Sequence, residues 1–225
     1  MASIPWDRRP HAWVRHRTLT LVFKEVPAVD SDLAEAIDAL RDSFRQRKLK
    51  AVFRQGDEAA VRALGKRLGL PHRYTEFLKA ADPADVETAT PTERLRLIPA
   101  DALEKEQLGY GRGDATTPAR NGWRPGWIVI GHSALLGDPY FLDTTRIDAE
   151  GDCPVMTAMN GAELKPTLCA SNFACFIRIL ATAMDVARGF APNVADPDDE
   201  YIFREALAPG LRAVDPAAAR ARHWT

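Results

Sequence analysis

Two short apolar runs set between Gly- and Pro-containing turns, within residues 121–145 (NGWRPGWIVIGHSALLGDPYFLDTT), constrain this chain more than any other stretch. Asn121-Gly122 marks a tight turn, and the rigid Pro125-Gly126 pair separates Trp123 from Trp127. Trp127, Ile128, Val129 and Ile130 follow without polar alternation, the pattern of a strand buried on both faces. Gly131 is expected to end that strand. Gly137, Asp138 and Pro139 then turn the chain: Gly137 tolerates positive φ, Asp138 can bond its own downstream backbone, and Pro139 fixes where the next strand begins. Tyr140, Phe141 and Leu142 form that second strand, closed by Asp143 and two threonines.

Amphipathic helices precede the hairpin. Leu33, Ile37, Leu40 and Phe44 fall at i, i+4, i+7 and i+11 after Asp30 or Ser31 as cap, giving one apolar stripe. Gly56-Asp57 starts a second helix with stripe Val61, Leu64 and Leu68, and Gly69 stops it. Pro71 suits the first turn of a third helix, with Tyr74, Phe77 and Leu78 on one side. Strands are expected at 18–26, at 95–98 and in the segment 154–159, with a further short one possible at 48–53. Residues 82–93 read as a surface loop, 100–108 as a helix, 109–122 as flexible and 147–152 as a turn. Ser171 or Asn172 caps a long helix carrying Phe173, Phe176, Ile177, Leu180 and Met184 inward. The last 35 residues hold an acidic patch (Asp196, Asp198, Asp199, Glu200), a short helix near 201–207 and an Ala/Arg tail.

Composition narrows the class. A chain of 225 residues is long enough for one large domain, and no segment approaches 18 consecutive apolar residues. The net charge of −1 gives no long-range pull toward nucleic acid or an anionic membrane. The basic first 17 residues, with Trp6 and Trp13, therefore read as a terminal segment lying on the fold, not as a nucleic-acid arm. That N-terminus lacks a hydrophobic signal core, and the three cysteines (Cys153, Cys169, Cys175) form no CxxC pair, so a cytoplasmic protein without disulfides is expected.

Catalytic and metal signatures are absent. Gly131-His132-Ser133-Ala134-Leu135 lacks the second glycine of a nucleophile elbow, and His132 reads as a turn histidine. Gly109-Tyr110-Gly111-Arg112-Gly113 lacks the ending of a phosphate loop. The five histidines are scattered, so no metal and no cofactor is expected. Asp138 and Asp143 are a conceivable carboxylate pair if they meet across a turn, although each also sits where a turn or strand end wants Asp.

The order of elements resembles the SUKH superfamily, which includes the fungal Smi/Knr cell-wall-synthesis regulators and many bacterial immunity proteins. Residues 70–78, with Pro71, Tyr74 and Phe77, look like its Leu-Pro helix. Residues 128–145, with Gly131, Gly137, Asp138, Pro139 and Asp143, look like its hairpin. The Ser171-Asn172-Phe173 start with Phe176 is similar to its closing helix, while Ala81-Asp82-Pro83 stands where the family often has Asn-Gly. The resemblance implies an α+β fold, a mostly antiparallel sheet with helices packed on it, as a single domain. Residues 56–188 would be the core, 1–55 an N-terminal extension and 189–225 a helical, acidic tail. It also implies binding in place of catalysis: an immunity protein docking on a nuclease- or deaminase-type toxin. A regulatory scaffold for host proteins, or a hydrolase using Asp138, Asp143 and His132, are the alternatives. Trp123, Trp127, Tyr140, Tyr110, Arg112 and Asp114 are the candidate partner-binding residues, with Trp127 and Tyr140 equally readable as core. The acidic patch could meet a basic surface or simply be solvated, and the oligomeric state is open.

Overall fold

The computed structural model describes residues 31–113, 116–159, 164–190 and 197–225. The expected strand at 18–26, the basic first 17 residues, Asp30, Asp114 and Asp196 lie outside them. The fold is α+β, with six helices and two antiparallel sheets among the described residues.

Helix α1 (Ser31–Gln46) buries Leu33, Ile37, Leu40 and Phe44, the stripe that its 3.6-residue spacing dictates. Strand β1 (Val52–Arg54) leads into α2 (Glu58–Leu68). The Asp57 carboxylate accepts from Ala60 N, and Gly69 ends α2 in the left-handed conformation at φ 68°. In α3 (His72–Ala81), Pro71 stands at the cap and Tyr74, Phe77 and Leu78 are buried. Strand β2 (Asp82–Asp85) pairs antiparallel with β1. Residues 82–85 are thus a strand and not surface loop. Their Asp-Pro composition hides it, yet an edge strand tolerates Pro83, and Asp82 earns its burial through Arg54 Nε (2.7 Å) and Ala100 N (2.7 Å).

The main sheet is a five-stranded meander: β3 (Leu95–Leu97), β4 (Trp127–Ser133), β5 (Pro139–Asp143), β6 (Val155–Thr157) and β7 (Thr167–Ala170). Strand β4 does not end at Gly131 but continues to Ser133 past a bulge between Val129 and Gly131. A Cβ on Gly131 would lie 2.9 Å from the Arg96 carbonyl of β3, so this position admits only glycine without a backbone shift. His132 accordingly sits in a strand and not in a turn. The 100–108 segment forms turns and a single 3-10 turn, Lys105–Gln107, in place of the expected helix. Asp82 holds its first amide, and the Gln107 side chain is drawn to β4, where Nε2 donates to Val129 O and Oε1 accepts from Val129 N, both at 2.9 Å. Tertiary bonds override local helix propensity here.

Register separates the two sheet faces. Trp127, Val129, Phe141, Met156 and Leu168 share one, while Tyr140, Leu142 and Val155 share the other. The second face is covered by α4 (Phe173–Val186), whose Phe176 lies 6.0 Å from Tyr140. Phe173 in turn packs edge-on against Tyr74 (4.9 Å) and Phe77 (5.0 Å) of α3. α1 lies along α4, where Ser43 Oγ donates to Ala181 O and Asp185 Oδ1. α5 (Pro197–Val214) and α6 (Pro216–Ala221) complete this layer. The Ala/Arg tail is therefore helical and packed. Trp224 is buried, its Nε1 donates to Cys169 O at 2.8 Å, and its ring stacks 6.2 Å from Tyr140. Among the described residues no helix is long and apolar enough to cross a membrane.

Buried carboxylates join the layers. Asn172 caps α4 through Cys175 N, and Asp152 adds a second cap, accepting from Phe173 N (2.8 Å), Ala174 N (3.3 Å) and Cys153 N (2.7 Å). Asp152→Ala strands these buried donors and is expected to cost about 2–4 kcal/mol, seen as a lower melting temperature at neutral pH. His223 gives a pH signature. Burial, then the nearby Arg204 charge, push its imidazole down to about 4 from 6.5, below its unfolded value. The unfolded chain therefore binds the extra proton first, so stability should fall as pH drops from 6.5 toward 4. Denaturant midpoints across that window should fall less steeply in His223→Gln.

Candidate functional site

The first sheet face is roofed by the connection between the Gln107 turn and β4. Gly109 N donates to Arg112 O (2.9 Å) and Arg120 N to Tyr110 O (3.0 Å), closing a compact loop that brings Tyr110 against Trp123. Their rings are 4.8 Å apart. Trp123 is fixed at both ends: its indole N–H donates to Trp127 O at 3.0 Å, and its ring lies 4.9 Å from Phe141 and 5.5 Å from Trp127. Gly126, at φ 89°, packs where a Cβ would meet Thr144 Oγ1 and Thr145 Cγ2 at 3.0 Å, so the hairpin can close directly behind the tryptophans.

Charge surrounds this aromatic layer. The Arg124 guanidinium sits 5.3 Å over the Trp127 ring. Arg112 and Arg67 both bond Glu104, at 3.0 and 3.1 Å, and together hold its carboxylate below the usual range. Arg146 bridges Asp143 (2.8 Å) to the Met156 sulfur (3.2 Å). Tyr110 stacks on His132, whose Nε2 is 3.2 Å from Glu106. Burial lowers the His132 pKa and Glu106 opposes it only in part, so the ring is neutral at pH 7. Beyond Phe141 the same face continues through Met156 and Leu168, both half-buried.

Of the residues singled out in the sequence, Trp123, Trp127 and Tyr110 come together, with Arg112 at their fringe. Trp127 is only 7% exposed and forms the floor of the cluster. Tyr140 is not part of it. It points to the opposite face, fully buried, its hydroxyl 2.8 Å from Glu93 and 2.9 Å from His223 Nε2. Asp138 and Asp143 do not meet across a turn, because Asp138 precedes the extended strand β5 and Asp143 is its last residue, which sets them roughly 16 Å apart. Asp143 instead caps the Thr144–Arg146 turn, with Oδ1 accepting from Thr145. Gly137 takes φ 74° in the β4–β5 turn, and Pro139 opens β5.

Gln107, Arg124 and Glu106 carry no signal in the sequence as parts of the site. A Gln in a charged helical-looking run and an Arg within a turn carry no distinguishing spacing. Burial pushes the Cys153 thiol up to about 12, Cys169 well above its ordinary value, and Cys175 upward, so each favours the protonated form. Among the described residues no group of three or more His, Cys, Asp or Glu side chains is placed to hold a metal ion. What the arrangement offers chemically is recognition, through rigid aromatic edges, a half-open apolar sheet face and arginines along its rim.

No curated protein and no solved structure gave a significant match to the chain. The SMI1 / KNR4 family (SUKH-1) profile matches residues 56–179, from the start of α2 through the first half of α4, and so spans more than half the chain and contains the whole of the aromatic face. The chain belongs to the SMI1 / KNR4 family (SUKH-1).

Proposed function

We propose that this is a cytoplasmic immunity protein that neutralises a cognate bacterial toxin domain, nuclease- or deaminase-type, by docking on it and not by catalysis. Family membership supports a protein-binding role in general, and the family includes immunity proteins. The observation that carries the choice of surface is Trp123, half-buried, pinned by its indole hydrogen bond and edged by Tyr110 and Arg124. An aromatic side chain already held in place loses little entropy on binding, which is what a hot-spot anchor requires. The partner would cover Trp123, Tyr110, Met156 and Leu168, with Arg112, Arg124 and Arg146 at the rim, over ~1,200–2,000 Å² in total.

A pull-down with the tagged protein from its own organism, read by mass spectrometry, tests the partner class. One stoichiometric partner with a toxin-like C-terminal domain supports the immunity reading, and a gene beside that of the toxin would accompany it. Several housekeeping proteins would shift the assignment to a regulatory scaffold. With such a partner in hand, Trp123→Ala is expected to weaken binding by about 2–4 kcal/mol and Arg124→Ala by about 1 kcal/mol, measured by calorimetry. Tyr140→Phe, on the opposite face, is the control and should leave affinity unchanged. Equal losses from Tyr140→Phe and Trp123→Ala would place the interface elsewhere.

A further inference from the structure

The N-terminal turns of α5 leave an apolar pair in water. Tyr201 is 66% and Ile202 53% exposed, although Phe203 and Leu207 of the same helix are buried. Asp198, Asp199 and Glu205 are exposed around the pair, and the single cation of this stretch, Arg204, is taken by Glu200 at 2.9 Å. Between Asp199 and Glu205 the chain carries three acids against one arginine, a surplus of two negative charges beside two exposed apolar side chains. Acids near a helix N-terminus offset the dipole, but that does not account for Tyr201 and Ile202 standing in solvent.

A surface of opposite character lies between α1 and β1. The C-terminal half of α1 and the segment leading into β1 enclose an open groove of about 410 Å³, lined by Phe44, Leu49, Ala51 and Phe53 and bordered by Arg41 and Arg45. Phe44 and Phe53 meet edge-on at 6.1 Å, Arg41 lies 5.5 Å over the Phe53 ring, and Val52 beside them is 39% exposed. Residues 41–50 hold Arg41, Arg45, Arg47, Lys48 and Lys50, against the three acids Asp38, Asp42 and Asp85 that pair with Arg41, Arg45 and Lys50. Arg47 turns inward to the Ala89 carbonyl and the Met184 sulfur, so the groove border keeps a surplus of one positive charge, on exposed Lys48, beside an aromatic floor that fits an aromatic side chain.

We infer that the protein self-associates head to tail, with the Tyr201/Ile202 turn of one copy seated in the Phe44/Phe53 groove of a second and its carboxylates facing the Arg/Lys border. Apolar surface is buried on both sides, and the charges are complementary, so the contact is steered and salt-sensitive. One helical turn in one groove is smaller than the ~1,200 Å² of a stable interface, so the contact is weak. The two patches differ, so the contact is heterologous and extends beyond a dimer unless a ring closes. Both patches lie apart from the Trp123 face, so this inference stands or falls independently of the proposed function.

Sedimentation equilibrium of the full chain, from ~10 µM to ~1 mM in ~50 mM salt, provides the test. The weight-average mass is expected to rise above the 24.9 kDa monomer with concentration. It should return to the monomer when salt reaches ~500 mM, where the charges are screened. Tyr201→Ser and the pair Lys48→Glu/Lys50→Glu, all at exposed positions, should each weaken association at least tenfold when studied alone. Mixed together, the two variants still hold one intact patch each and should form a 1:1 dimer and nothing larger. A protein that stays monomeric to ~1 mM overturns the inference, as does association that neither variant nor salt weakens.

Discussion

A strand that carries large apolar side chains on both faces has to be covered twice, and β4 and β5 impose that demand on everything around them. One cover is helical: α4 brings Phe173 and Phe176, α3 stacks Tyr74 and Phe77 behind them, and Trp224 fills the corner beside Tyr140. The other cover is not a helix but a loop, whose Tyr110 and Trp123 lie over His132, Trp127 and Phe141. A layer made of two aromatic side chains and a compact turn is thinner than a helix. It leaves the β6–β7 part of that face, Met156 and Leu168, half open. The asymmetry of the two covers leaves one face partly open and the other closed.

The buried acids show how such a stack is fastened. Asp82 ties β2 to Arg54 and to the Ala100 amide. Asp152 ties the β6 side of the sheet to the start of α4, and Asp215 caps α6 while accepting from Ser171 N at 2.6 Å. Burial alone would raise the Asp215 pKa, but the Ser171, Ala218 and Ala217 amides outweigh it and hold the group ionised. Each carboxylate accepts hydrogen bonds from two separate segments of the chain, so a single side chain fixes both their spacing and their orientation.

Legibility in the sequence followed how local each signal was. The hairpin, the α1 stripe, the Asp57 and Asn172 caps and the αL stop at Gly69 are written within a few residues, and spacing alone reveals them. Strands β2 and β7 are short, and neither Asp-Pro-Ala-Asp nor Thr-Leu-Cys-Ala shows alternation, since their pairing is decided by distant partners. Residues 100–108 have helical composition but yield to the pull of Asp82 and Val129. The candidate site was half legible. Trp123 and Trp127 announce themselves, whereas Tyr140 looks equally like an anchor until register places it on the other face.

The Gln107 side chain has a consequence for the whole sheet. Strand β3 pairs with β4 from Gly131 to Ser133 and Ile98 N still reaches Ile130 O, but Val129 lies beyond the reach of that strand. By presenting one acceptor and one donor to Val129, the Gln107 amide imitates a single residue of a missing strand. On β7 the Trp224 indole takes up the Cys169 carbonyl in a related way. Exposed strand edges are where sheets of separate molecules zip together into aggregates. These side chains blunt such edges, so fewer backbone groups are left open for the sheet of another molecule to join.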